Sequence, residues 1–110
     1  MKIDFNSIEE KLLPNFKGGD KSLAARMFTD GQGNRIMKAR LEPGASIGMH
    51  SHDDSSETIL ILSGSGHAVY DGATIVLGAG DVHYCPKGHS HCLVCDGPGD
   101  LEFFAVVPRQ

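Results

Sequence analysis

The stretch GASIGMHSHDDSSETILILSG, residues 44–64, decides both the fold and the chemistry of this chain. His50 and His52 lie two residues apart on a predicted strand, so their side chains leave the same face, with Cα atoms about 6.6 Å apart. The turn-forming run at residues 53–56 permits a bend that returns Glu57 to the interior beside them. Imidazole and carboxylate groups that converge in this way are suited to binding one metal ion.

A second stretch, GDVHYCPKGHSHCLVC at residues 80–95, supplies a fourth candidate ligand. His91 follows a Pro-Lys-Gly turn and is expected to reach the interior from a later strand. His50, His52, Glu57 and His91 would together form a mixed nitrogen and oxygen set suited to Fe, Mn, Ni, Cu or Zn, with two positions left open on an octahedral ion. We therefore predict one divalent transition metal ion per chain.

Outside these stretches, the chain alternates short β-type segments with turn residues such as Asp71-Gly72, which favours an all-β barrel or sandwich. Ser7 and Glu10 match a capping box, which predicts a short helix at residues 8–13 that Pro14 ends. A barrel of about eight strands can enclose one small ligand. The nine predicted strands are Ser22–Phe28, Arg35–Leu41, Ile47–His52, Glu57–Leu62, Gly66–Tyr70, Thr74–Leu77, Val82–Cys85, His91–Val94 and Leu101–Val107.

Both stretches resemble the two motifs of the cupin superfamily. The first motif, G-x5-H-x-H-x3,4-E-x6-G, is matched at every fixed position, by Gly44, His50, His52, Glu57 and Gly64. The second, G-x5-P-x-G-x2-H-x3-N, is matched except that Cys95 stands where asparagine is usual. The resemblance implies a cupin-type double-stranded β-helix, or jelly-roll, barrel at residues 22–110 after an N-terminal segment at residues 1–21. It also implies a metal bound by the four residues named above.

Composition and charge restrict the function. Ten Lys and Arg against fourteen Asp and Glu give a net charge of −4, so we expect neither nucleic acid nor an anionic membrane as a partner. The first residues lack the apolar stretch of a secretory signal. The three cysteines all fall within residues 85–95, an odd number that is more natural as reduced thiols than as disulfides. A cytoplasmic location is therefore expected.

Other side chains near the motifs are candidates for chemistry. Glu57, His83 and Tyr84 are the candidate catalytic residues. A nonoxidative reaction needs a base, which His83, Tyr84 or a metal-bound hydroxide could provide, and Glu57 is the only evident catalytic carboxylate. His83 and Cys85 share one face of their strand and Tyr84 the other, so either the pair or the tyrosine faces inward. Cys95 lies four residues after His91, and side chains an even number of residues apart on a strand share a face, so Cys95 is expected to face the interior.

The resemblance leaves the reaction open, because the cupin fold hosts many unrelated functions. One hypothesis is a metal-dependent enzyme, either a dioxygenase or a lyase or isomerase, acting on a small organic molecule that chelates the ion through two oxygens. The alternative is a noncatalytic sensor or binding protein for a small molecule or sugar. The expected pocket lining is largely apolar: Met37, Ala39, Leu41, Met49, Ile59, Ile61 and Phe103.

The strand at residues 57–62 predicts an interface. Both of its faces are apolar, but only one face can point into the barrel. Leu60 and Leu62 therefore need cover on the outside, which a homodimer would provide. The predicted N-terminal helix of the same chain is the alternative cover.

Overall fold

Ten antiparallel strands build the protein in a computed structural model that describes all of residues 1–110. Two short 3-10 turns, Phe5–Ser7 and Phe16–Gly18, are the only helical segments, and neither has the length or apolar character needed to cross a membrane. The strands are β1 (Lys11–Pro14), β2 (Ser22–Thr29), β3 (Arg35–Leu41), β4 (Ser46–Ser51), β5 (Glu57–Ser63), β6 (Ser65–Tyr70), β7 (Ala73–Gly78), β8 (Val82–Cys85), β9 (Ser90–Cys95) and β10 (Leu101–Val107).

The strands form two sheets that face each other as a jelly roll. The larger sheet has the order β1-β2-β3-β10-β5-β8, and the smaller one has the order β4-β9-β6-β7. From β3 onward the chain crosses repeatedly between the sheets, so residues distant in sequence meet in the space they enclose. The predicted all-β jelly-roll fold is confirmed. All nine predicted strands are present, with ends that agree to within one residue.

Alternation along the strands builds the core. On β10, Leu101, Phe103, Ala105 and Val107 are buried, whereas Glu102 between them is exposed. The inward residues of both sheets join into one hydrophobic cluster. Since side chains alternate between the faces of a strand, this pattern fixes which residues face the interior.

The predicted N-terminal helix at residues 8–13 is wrong. The structure has only the 3-10 turn before it, and Lys11–Pro14 forms strand β1, which pairs with β2 at the edge of the larger sheet. A helix of six residues is marginal in water. Pairing with β2 instead gives these residues hydrogen-bond partners in the sheet. The segment 1–21 therefore contributes a strand to the larger sheet.

The apparent capping box serves other contacts. The carboxylate of Asp4 accepts hydrogen bonds from the Asn6 backbone N–H and from the Ser7 hydroxyl, so Asp4 rather than Ser7 caps the turn. Glu10 lies 2.8 Å from Arg40 and forms an ion pair with it. Both capping-box side chains are therefore committed elsewhere.

Candidate metal centre

The structure brings the four predicted ligands together at one end of the space between the sheets. One ligand atom from each of His50, His52, Glu57 and His91 lies within 4.8 Å of all the others. His50 and His91 form a cross-strand pair between β4 and β9, and Glu57 is the first residue of β5. The cluster is therefore able to hold a metal ion.

Local backbone structure explains how His52 and Glu57 meet despite their odd separation. The turn at residues 53–56 is tied to the C-terminal residues, since the Ser56 N–H donates to the Pro108 carbonyl and the Gln110 N–H donates to the Asp54 carbonyl. These bonds hold the bend that the sequence predicts. Glu57 consequently returns to the interior, where it is buried.

The distances between donor atoms fit one ion. Glu57 Oε1 lies 2.9 Å from His91 Nε2 and 3.1 Å from His52 Nε2, and those two nitrogens lie 2.9 Å apart. Two ligands at right angles, each about 2.1 Å from an ion, would be about 3.0 Å apart. His50 Nε2 is farther from Glu57 Oε1, at 4.0 Å. The spacing of the three closest donor atoms is therefore compatible with binding to one ion.

Each imidazole has a partner for its other nitrogen. His50 Nδ1 lies 2.7 Å from the Gly48 carbonyl oxygen and donates to it. His52 Nδ1 lies 3.0 Å from Ser55 Oγ, and His91 Nδ1 lies 2.9 Å from His83 Nε2. Such contacts orient a metal-binding ring and favour a proton on Nδ1. All three rings can therefore present a bare Nε2 to the same point.

The pKa values of the ligand side chains also favour binding of a cation. Burial raises the pKa of Glu57, but hydrogen bonds with His52 and His91 outweigh it and lower that pKa to about 2. These bonds use protons on Nε2, which a bound ion would replace when the rings carry their protons on Nδ1. Burial lowers the pKa of His50, so that ring is neutral at pH 7. An ionised carboxylate and neutral imidazoles are the forms that bind metal.

The cluster is deeply buried. The side chains of His52, Glu57 and His91 are at most 5% exposed, whereas that of His50 is 15% exposed. The largest cleft in the molecule, about 460 Å³, lies beside β1 and β2 and has none of the four ligands in its lining. Solvent therefore reaches the cluster mainly past His50.

The predicted apolar pocket is wrong. Of its seven predicted lining residues, Met49 is 54% exposed and points to solvent, since it alternates with His50 on β4. The other six pack into the hydrophobic core and leave no cavity against the ligands: Met37, Ala39, Leu41, Ile59, Ile61 and Phe103. Side chains that could line a pocket fill the barrel instead.

The structure resolves which face of β8 points inward. His83 and Cys85 are buried, whereas Tyr84 is 52% exposed on the outer face. Tyr84 therefore lies outside the cluster, and its predicted catalytic role has no geometric support. Burial raises the pKa of the Cys85 thiol to about 11 and lowers the pKa of His83, so both groups are neutral at pH 7.

Cys95 faces the interior, as its even separation from His91 predicts, and its thiol has a structural role. It is buried, and its Sγ donates to the Gly99 carbonyl oxygen at 3.3 Å, across the turn between β9 and β10. Cys92 lies on the opposite face, and all three cysteines are free. The thiol that replaces the usual asparagine thus bonds the turn and not the cluster.

Sequence reasoning missed the partners of the histidine rings. The contact between His83 and His91 joins strands of different sheets, and the motif spacing contains no signal for it. The serine at residue 55 looks only like a turn former. The only hint in the sequence was that His83 shares one face of its strand with Cys85, so that both could face the interior.

The fold and the site together define a family. A model of the cupin domain matches residues 37–107, more than half of the chain, so the protein belongs to the cupin family. It is 30% identical to the oxalate-binding protein of Thermotoga maritima, over 97% of this chain and 93% of that protein.

Solved structures agree with this assignment. The crystal structure of a predicted oxalate decarboxylase from Thermotoga maritima superposes with a TM-score of 0.92 at 28% identity, and the match covers 100% of both chains. A cupin 2 conserved barrel protein from Salinispora arenicola matches with a TM-score of 0.72 at 25% identity, over 97% of this chain and 85% of that one. A polyketide cyclase from Streptomyces resistomycificus, at 20% identity and a TM-score of 0.79 over 99% of this chain and 80% of that one, shares the fold alone.

Proposed function

We propose that the protein holds one divalent transition metal ion through His50, His52, Glu57 and His91 and uses it to bind a small dicarboxylate of the size of oxalate. The observation that carries the proposal is the convergence of four donor atoms within 4.8 Å of one another. A metal in this position would supply a Lewis acid and a template for two ligand oxygens. Iron, manganese, nickel, copper and zinc are all compatible with the donor set.

The restricted access supports a small ligand. His50 is the one ligand side chain with appreciable exposure, at 15%, and the core residues around the cluster are closely packed. A two-carbon dicarboxylate is among the smallest molecules that offer two oxygens to a metal ion. The similarity to an oxalate-binding protein supports the same ligand class.

Binding without turnover is the function that the arrangement of side chains favours. The two buried groups that could act as acid or base, Glu57 and His83, are both engaged with the histidine ligands. Glu57 is itself a ligand, and His83 Nε2 faces His91. Neither is free to exchange a proton with a substrate.

Calorimetry with oxalate tests the proposal. Protein loaded with Mn²⁺ is expected to bind one oxalate per chain, and acetate should bind at least tenfold more weakly, about 1.4 kcal/mol, because it offers one carboxylate. Protein stripped of metal serves as the control. Equal oxalate affinity with and without the metal would contradict the proposal.

An enzyme is the second candidate function, because four protein ligands leave positions on an octahedral ion that substrate oxygens can take. A lyase or isomerase would convert the bound ligand without oxygen, whereas a dioxygenase would consume oxygen. Formate or carbon dioxide release from oxalate, and oxygen consumption with diketones and catechols, would each favour the enzyme over the binding protein.

We also propose a homodimer through the outer face of the larger sheet. Part of this face is covered by the N-terminal segment of the same chain, where Phe5 stacks edge-on against Phe104 at 6.1 Å. Leu62, Val82 and Tyr84 on β5 and β8 stay exposed beyond it. Neighbouring exposed apolar side chains of this kind favour contact with a second copy.

Light scattering tests the dimer. Wild-type protein should have twice the chain mass of 11.8 kDa at micromolar concentrations, and Val82→Glu should shift it toward the monomer, because a charge would be buried in the interface. Val76→Glu is the matched control, since Val76 is exposed on the other sheet. A wild-type mass near 11.8 kDa would rule the dimer out.

A further inference from the structure

We infer that His83 is a positioning residue for the metal centre: its Nε2 accepts a hydrogen bond from His91 Nδ1–H and thereby aims His91 Nε2 at the ion. The inference rests on the proposed metal site. The two nitrogens lie 2.9 Å apart, and both side chains are buried. His83 thus acts on the metal through another residue and does not touch the ligand.

The tautomer argument fixes the direction of this hydrogen bond. A neutral imidazole carries one N–H, so a ring that binds metal through Nε2 must hold its proton on Nδ1. In His91 that N–H is buried and needs an acceptor, since a buried donor without a partner destabilises the fold. His83 Nε2 is the acceptor within reach, and the proton of His83 must then sit on Nδ1.

His83 is itself held in place by its neighbours. It sits on β8 opposite Ile59 of β5, and the ring of Tyr70 packs edge-on against it with centroids 5.7 Å apart. These contacts come from the two different sheets. The His83 ring therefore has packing contacts besides the one with His91, as an orienting partner must have.

The three ligand histidines differ in what orients them. His50 uses the backbone carbonyl of Gly48, and His52 uses the hydroxyl of Ser55 from its own turn. His91 alone depends on a side chain from the opposite sheet. A substitution at position 83 should therefore disturb one ligand and leave the other two oriented.

Nitrogen NMR on the wild-type protein loaded with Zn²⁺ tests the tautomers without any substitution. His50, His52 and His91 should each be protonated on Nδ1 and bound through Nε2. His83 should be neutral, with its proton on Nδ1 and a bare Nε2. A His83 ring protonated on Nε2 would overturn the inference.

Variants test the consequence for affinity. His83→Phe should weaken Zn²⁺ binding about 10–100-fold, the usual cost of losing a partner behind a metal ligand. His83→Gln should restore most of the affinity, because its amide oxygen can accept from His91 Nδ1–H. Cys85→Ala is the matched control, since Cys85 is the next buried residue on the same face of β8, lies opposite the ligand Glu57 and donates its hydrogen bond to the Pro86 carbonyl oxygen, not to a histidine.

The outcomes separate this inference from the proposed metal site. A folded His83→Phe that binds Zn²⁺ as tightly as wild type would overturn the positioning role and leave the site intact. Weakening in Cys85→Ala equal to that in His83→Phe would also overturn it, because packing alone would then explain the loss. Failure of the wild-type protein to bind Zn²⁺ would contradict the metal site itself.

Discussion

Glu57→Gln is expected to lower the affinity for a divalent transition metal at least a hundredfold, more than the 10–100-fold typical of losing a partner behind a ligand. Glu57 is the only anion among the four ligands, and its pKa of about 2 keeps it charged at neutral pH. Glutamine has nearly the same shape but no charge, so the substitution removes electrostatic attraction with little change in volume. Competition titration against a chelator measures the change in affinity.

Cys95→Ser is the control for this substitution. Cys95 lies in the second motif but bonds the Gly99 carbonyl oxygen, and a serine hydroxyl can donate to the same oxygen. The variant should keep wild-type metal affinity. Loss of metal in Cys95→Ser beside retention in Glu57→Gln would contradict the assignment and indicate a thiol site.

Phe103→Ala is expected to reduce the free energy of unfolding by about 3–5 kcal/mol, the range for truncating a fully buried aromatic residue. Phe103 has no solvent exposure and lies at the centre of the core. Because small domains are stable by only about 5–15 kcal/mol, much of the stability would be lost. Urea unfolding measures the change.

The adjacent Phe104 provides the matched comparison. It points to the outer face of the same strand, is only partly buried and contacts Phe5 of the N-terminal segment. Phe104→Ala should therefore cost less than Phe103→Ala. An equal loss in the two variants would contradict the assignment of the inner and outer faces of β10.

The sequence was sufficient to predict nine of the ten strands and the four candidate ligands. Alternation on segments such as Leu101–Val107 carries the information about burial, and the turn at residues 53–56 explains how Glu57 can join His50 and His52. Strand alternation and the turn can both be recognised in short stretches of sequence, and the four ligands follow from the fixed spacing of the motifs. The prediction of the N-terminal helix failed because Ser7 bonds to Asp4 and Glu10 pairs with Arg40, and the second contact is thirty residues away in the sequence.

The surroundings of the ligands could not be predicted in the same way. The alternation of side chains along β8 allows either His83 or Tyr84 to face inward. Only packing between the sheets selects His83 as the inward residue. The apolar side chains predicted to line a pocket, Phe103 among them, fill the barrel because close packing stabilises a small domain. Such contacts depend on three-dimensional proximity.

Elemental analysis tests the central claim most directly. Wild-type protein is refilled with a divalent transition metal after chelator treatment, freed of excess ion and compared with His52→Ala treated in the same way. The account predicts one metal ion per wild-type chain and substantially less in the variant, because His52 Nε2 lies within 3.1 Å of donor atoms from both Glu57 and His91. Wild-type protein without metal, or His52→Ala with a full equivalent, would contradict it.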